Sequence, residues 1–110
     1  MMSPLNLTHS HTATGFVLRV AGQLDYEHAP ALREQVDHLD LSPGQNLVID
    51  MSGLDFCDST GITALLAARQ RAQAAGADVT LAAVPADTLR ILTVVGLHQV
   101  FTIHPGSATA

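Results

Sequence analysis

The residues best suited to chemistry in this sequence lie within one stretch, from Asp50 to Gly61. The stretch contains three aspartates and closes on Asp58, Ser59, Thr60 and Gly61. A carboxylate can cap a helix or act in acid–base chemistry, and a hydroxyl can act as a nucleophile or accept a phosphate. Which of these roles applies depends on the elements that position the stretch.

The stretch is predicted to join a buried strand to a helix. Residues 47–51 (LVIDM) form a nearly continuous apolar run, which is typical of a strand buried on both faces. From Ile62 to Ala75 strong helix formers dominate, and Gly76 suits the position just past a helix end. The segment from Ser52 to Asp58 is then a loop where a strand ends and a helix begins, a place where open α/β sheets form their sites.

The rest of the chain alternates in the same way and predicts an α/β fold. The further elements are strands at 4–8, 15–21, 79–84 and 100–103, and helices opened by Pro30 and Pro85. The order ββαβαβαβ favours a mixed, mainly parallel sheet of about four to five strands with right-handed crossovers and the helices on one side. The 110 residues are one domain, with a core at about 14–104 and a frayed tail at 105–110.

Several side chains have predicted places in this core. Residues at helical spacing form an apolar stripe on the first helix (Ala29, Leu32, Val36, Leu39) and another on the third (Leu89, Leu92, Val95). Phe56 is predicted to anchor the core, and Cys57 to be a small buried hydrophobe.

Composition excludes several classes of function. Five scattered arginines against ten acidic residues give a net charge of −5, which disfavours direct binding to nucleic acid. The lone Cys57 rules out an internal disulfide, and the six histidines lack metal-ligand spacing, so no metal or other cofactor is expected. No apolar run approaches the roughly 20 residues of a membrane span, and no secretory signal is visible, so we expect a cytoplasmic protein.

Two simpler interpretations of the stretch stay open at this point. One of Asp58, Ser59 and Thr60 caps the helix, and Gly61 permits a tight turn. Capping needs one such side chain, so a second hydroxyl remains available to accept a phosphate. The other interpretation is a small hydrolase with Ser59 or Cys57 as nucleophile, but Ser59 is not in a Gly-x-Ser-x-Gly motif and no histidine lies near either residue in sequence.

Three motifs resemble those of STAS domains, in particular the bacterial anti-sigma-factor antagonists. The central one, Phe56-Cys57-Asp58-Ser59-Thr60-Gly61, is similar to the family's Phe-x-Asp-Ser-(Ser/Thr)-Gly. Gly22-Gln23-Leu24-Asp25 is similar to Gly-Glu-Leu-Asp, and Thr93 to Leu97 followed by Val100-Phe101 is similar to the closing helix, Gly-Leu turn and last strand. The resemblance spans residues 14–104. The chain departs from the pattern at Gln23, usually glutamate, and at His28, often Ser or Thr.

The resemblance implies a binding module and kinase substrate, not an enzyme. Ser59 stands at the position that an anti-sigma factor with serine kinase activity phosphorylates in the family. The unphosphorylated antagonist binds that partner and frees its sigma factor, the phosphorylated form does not bind, and a serine phosphatase resets it. Partner contacts are implied for Asp25, Asp58, Ser59, Thr60 and Gly61, and the free protein is expected to be a monomer. The alternative is a STAS adaptor in another partner-switching or transport-associated complex.

Overall fold

The computed structural model describes residues 4–104, and the predicted frayed tail at 105–110 lies outside the described residues. Five strands form one sheet in the order β1-β2-β3-β4-β5. The strands are β1 Asn6–Thr12, β2 Gly15–Leu24, β3 Asn46–Cys57, β4 Asp78–Ala82 and β5 Thr102–His104. The helices are α1 Ala29–His38, α2 Ser59–Ala74 and α3 Ala86–Val94, followed by a turn of 3-10 helix at Leu97–Gln99.

The pairing of the strands determines on which face of the sheet the helices lie. β1 is antiparallel to β2, and every other neighbouring pair is parallel. Each crossover from β2 onward moves one strand further in the same direction. Since such crossovers are right-handed, all three helices lie on one face of the sheet. The predicted α/β fold and its element order are therefore confirmed.

The core lies between the sheet and this helical layer. Large apolar side chains of the central strands are fully buried, among them Leu18, Leu47, Ile49 and Leu81. All four residues of the predicted α1 stripe are buried as well. The stripe predicted for α3 is wrong in part, because Leu92 is buried whereas Leu89 and Val95 are exposed.

The predicted loop from Ser52 to Asp58 is wrong, because β3 continues as a strand to Cys57. Residues 52–55 stay extended because β2 runs alongside for the same distance, and Leu24 pairs with Cys57 at the end. At two register shifts, opposite Arg19/Ala21 and opposite Gly22/Gln23 of β2, β3 contains one extra residue, and the two strands stay paired beyond each shift. Phe56, predicted to anchor the core, lies on this extension with 45% of its surface exposed.

Boundaries of the other strands also differ from the prediction, and β2 continues three residues past its predicted end, to Leu24. β1 runs to Thr12, four residues past its predicted end, so only a tight turn at residues 13–14 separates it from β2. His11 in this strand packs against Phe16 with ring centroids 4.9 Å apart. β4 ends at Ala82 because Ala83 takes a left-handed conformation with φ of 52°. β5 occupies residues 102–104, two residues later than the predicted start.

Candidate functional site

The Asp58 carboxylate caps α2, as one of the simpler interpretations predicted. Its Oδ1 accepts a hydrogen bond from the Gly61 backbone N–H at 3.0 Å, which satisfies one of the donors left free at a helix start. The backbone of Asp58 is extended, so the chain passes from β3 into α2 within one residue. The helix therefore begins at Ser59, three residues before the predicted Ile62.

Ser59 presents an exposed hydroxyl at the first position of α2. Its carbonyl oxygen accepts a hydrogen bond from the Thr63 hydroxyl at 3.0 Å. Within residues 4–104 the Ser59 hydroxyl itself has no hydrogen-bond partner. Because Asp58 does the capping, this hydroxyl is available for chemistry or for contact with another molecule. Thr60, its neighbour, is half-buried.

Gly61 lets the start of α2 approach the end of β2. A Cβ atom at this position would lie 2.4 Å from the carbonyl oxygen of Leu24 and 2.7 Å from Sγ of Cys57. The same Leu24 oxygen accepts a hydrogen bond from the Asp58 N–H at 3.3 Å. Glycine is therefore required for close packing, and this packing holds the segment after β2 beside the first turn of α2.

Asp25 follows β2 and so lies at the same end of the sheet as Asp58. Its Oδ1 accepts hydrogen bonds from the backbone N–H of His28 at 3.0 Å and pairs with Nδ1 of the His28 ring at 2.7 Å. Partial desolvation acts to raise the pKa of the Asp25 carboxyl, but the hydrogen bonds and charge of His28 outweigh it, so the pKa lies below its usual value. His28, one of the departures from the STAS pattern, thus orients Asp25.

A cavity of about 470 Å³ opens beside Ser59, between the first turns of α1 and α2. Tyr26, Glu27 and Pro30 line one side, and Thr60 and Thr63 line the other. Tyr26 is 79% exposed. Sequence patterns do not reveal this cavity, because it arises where two helices that are distant in the chain begin side by side.

Two other groups of the motif region are buried and structural. Asp50 is fully buried, accepts a hydrogen bond from the Ser52 N–H at 3.0 Å and lies 3.8 Å from Nε of Arg19. Burial, assisted by the negative charge of Asp58, raises the pKa of the Cys57 thiol to about 12. A thiol with this pKa is a poor nucleophile at neutral pH, which argues against the hydrolase interpretation at Cys57.

Metal and membrane features can be assessed for the described part of the chain. Among residues 4–104, no group of three or more His, Cys, Asp or Glu side chains could hold a metal ion. No helix within these residues is long and apolar enough to cross a membrane.

The described residues form a five-stranded sheet with three helices on one face, and the helix that carries Ser59 begins directly after the central strand. The chain belongs to the STAS domain family, whose model matches residues 5–110.

Proteins similar to this chain include named anti-sigma factor antagonists. The anti-sigma F factor antagonist of Paenibacillus polymyxa is 22% identical over 107 residues, covering 96% of this chain and 92% of that protein. Among solved structures, an anti-sigma factor antagonist from Mycobacterium paratuberculosis superposes with a TM-score of 0.77 at 24% identity, covering 96% of this chain and 91% of that one. The Bacillus cell fate determinant SpoIIAA in its phosphorylated form superposes with a TM-score of 0.66 at 17% identity, covering 92% and 91%.

Proposed function

We propose that this protein is an anti-sigma-factor antagonist that phosphorylation of Ser59 switches off. The observation that carries the proposal is the exposed, unpartnered Ser59 hydroxyl at the first turn of a helix that Asp58 already caps. Membership of the STAS family and the names of the relatives support the same function. The protein is then a cytoplasmic binding module, and its partners are an anti-sigma factor with serine kinase activity and a serine phosphatase.

The position of Ser59 suits a switch that leaves the fold unchanged. A phosphate carries about −1.5 to −2 charges at pH 7, and a helix start tolerates an anion because its N–H groups and dipole favour negative charge. When a partner covers this surface, the phosphate would have to lose its water of hydration. It would also lie beside the carboxylates of Asp25 and Asp58, which repel it. A loss of roughly 3 kcal/mol in the free energy of binding would weaken affinity more than a hundredfold.

The contact surface extends from Ser59 over the cavity beside it. Tyr26 offers an exposed ring, and Thr60 and Thr63 line the opposite wall. Aromatic side chains next to a pocket are the residues that most often contribute to binding energy. Gly61 is buried, so its part in partner binding is to hold Ser59 and Asp25 close together and not to make a direct contact.

The first test identifies the partner and the phosphorylated residue. The full chain serves as bait in a pull-down, and a recovered kinase is incubated with the chain and ATP before fragmentation mass spectrometry. We expect phosphate on Ser59 and none on Ser59→Ala, whereas Thr60→Ala is modified normally. Phosphate on another residue refutes the site, and recovery of a transport protein in place of a kinase favours the alternative adaptor function.

The second test measures affinity for that kinase. Ser59→Ala should bind like the wild type and resist inactivation by ATP, while Ser59→Asp should bind more weakly. Asp25→Asn and Asp58→Asn should each lose affinity beyond what their unfolding midpoints explain, because a desolvated charge-assisted contact contributes roughly 1.5–3 kcal/mol. Equal affinities for all four variants at low salt would mean that the interface lies elsewhere.

A further inference from the structure

The extension of β3 leaves one edge of that strand without a neighbour. β3 pairs with β2 as far as Cys57 but with β4 only as far as Asp50, which lies opposite Ala82. In the described chain no second strand pairs with residues 53–57, and no backbone hydrogen bond joins them to the α3 side. An unpaired strand edge presents backbone donors and acceptors that can pair with another extended segment.

The turn after β4 opens a cleft along this edge. Ala83 is left-handed, with φ of 52°, and its N–H donates to the His104 carbonyl at 3.2 Å. For a residue with a Cβ atom this conformation is strained and persists only where the surroundings hold it. The chain leaves the sheet at Ala83 and enters α3 after Pro85, so that β4 does not pair with residues 53–57.

We call the resulting space the β3–α3 cleft; its lining includes Leu54, Asp55 and Phe56 from β3, and Pro85, Asp87 and Ile91 from the α3 side. Its volume is about 200 Å³, which is enough for one side chain of the size of leucine or phenylalanine, since a cavity of about 150 Å³ admits benzene. Phe56 is 45% exposed and Ile91 38% exposed. None of the residues that line this cleft lines the cavity beside Ser59.

The charges around the β3–α3 cleft indicate what kind of segment could bind there. The lining contributes two carboxylates, those of Asp55 and Asp87, and no basic side chain. Arg90 lies 3.9 Å from Asp87, but both side chains are highly exposed, so the pair is weak and leaves the rim acidic. A segment that carries lysine or arginine on either side of an apolar residue complements this arrangement in charge and in shape.

We propose that the β3–α3 cleft binds an extended basic segment of a partner protein by strand addition. The segment pairs its backbone with residues 53–57 and places one apolar side chain between Phe56 and Ile91, with its cationic side chains toward Asp55 and Asp87. Strand addition takes affinity from the main chain and specificity from the side-chain pockets. This second docking surface does not depend on the state of Ser59.

The test titrates the full chain with an end-blocked heptapeptide, Lys-Val-Lys-Leu-Lys-Val-Lys, and follows backbone amides by ¹⁵N NMR. We expect shifts confined to residues 53–57 and 86–91. Ile91→Ala should weaken binding at least fivefold because it removes apolar contact in the cleft. Val94→Ala is the matched control, since Val94 lies on the same helix, is 79% exposed and does not line the cleft.

Two altered peptides test charge complementarity and backbone pairing separately. A peptide with glutamate in place of every lysine should bind at least tenfold more weakly, and one with N-methylleucine at the central position should lose affinity because, like proline, it has no N–H to pair, although it keeps the apolar side chain. Shifts elsewhere, equal binding of the acidic peptide, equal effects of the two helix variants, or self-association of the chain through residues 53–57 would each overturn it. Ser59→Asp should bind the heptapeptide like the wild type, so this result is separable from the proposed switch.

Discussion

Substitution of Gly61 by alanine tests how the site is held together. The added Cβ atom would lie 2.4 Å from the Leu24 carbonyl oxygen, which cannot move freely because it belongs to a paired strand and accepts a hydrogen bond from Asp58. Overpacking of this kind costs about 1–3 kcal/mol, whereas alanine gains at most about 1 kcal/mol over glycine in helix propensity. We expect a net loss of about 1–2 kcal/mol.

The loss is measurable by thermal and urea unfolding. Unfolding entropy of about 2.1 cal/mol/K per residue gives about 0.23 kcal/mol/K for 110 residues, so the Tm of Gly61→Ala should fall by about 4–9 °C. Thr63→Ala, an exposed substitution in the same turn of α2, should stay within about 0.5 kcal/mol of the wild type. A Gly61→Ala protein as stable as the wild type would refute the close approach of α2 to β2.

Three further predictions concern groups of the same site. Asp58→Ala should lower the free energy of unfolding by about 1 kcal/mol through loss of the cap, and urea titration measures this. His28→Ala should raise the pKa of Asp25 toward its ordinary value, as followed by NMR titration of the carboxyl. The lowered pKa of Asp25 in the folded state stabilises the fold above the unfolded value of about 3.9, and this contribution is lost as the pH falls through the folded value. Cys57 should not react with a thiol reagent at pH 8 until urea unfolds the chain, since it is buried and its pKa is about 12.

Local patterns in the sequence predicted the element order because each βα unit carries its own signals. The α1 stripe is a helical period followed by Pro43-Gly44, and Asp58 is a capping residue placed before a run of helix formers. These features depend on neighbours in the chain, so they need no knowledge of the fold. The same holds for Ser59, whose place at a helix start follows from the residues on either side of it.

The errors lie where a distant segment decides the local structure. Ser52, Gly53 and Asp55 have the composition of a loop, yet they are extended because β2 supplies a ladder as far as Leu24. Phe56 is exposed because it lies on that extension, past the part of β3 that β4 covers. The His28–Asp25 pair and the cavity beside Tyr26 likewise required the placement of loops and helices that periodicity does not specify.

The unbroken strand order from β1 to β5 has a consequence for how the chain folds during synthesis. Each strand pairs with the strand that directly precedes it, so no pairing waits for a remote part of the chain. The entropy lost on closing a loop grows with its length, so pairing with the preceding strand is the pairing that closes the shortest loop. Once Cys57 has left the ribosome, β1, β2, α1 and β3 are all available to assemble. The β4 and β5 units then add in turn to the same edge of the sheet. Each strand that leaves the ribosome therefore finds its pairing partner already in place.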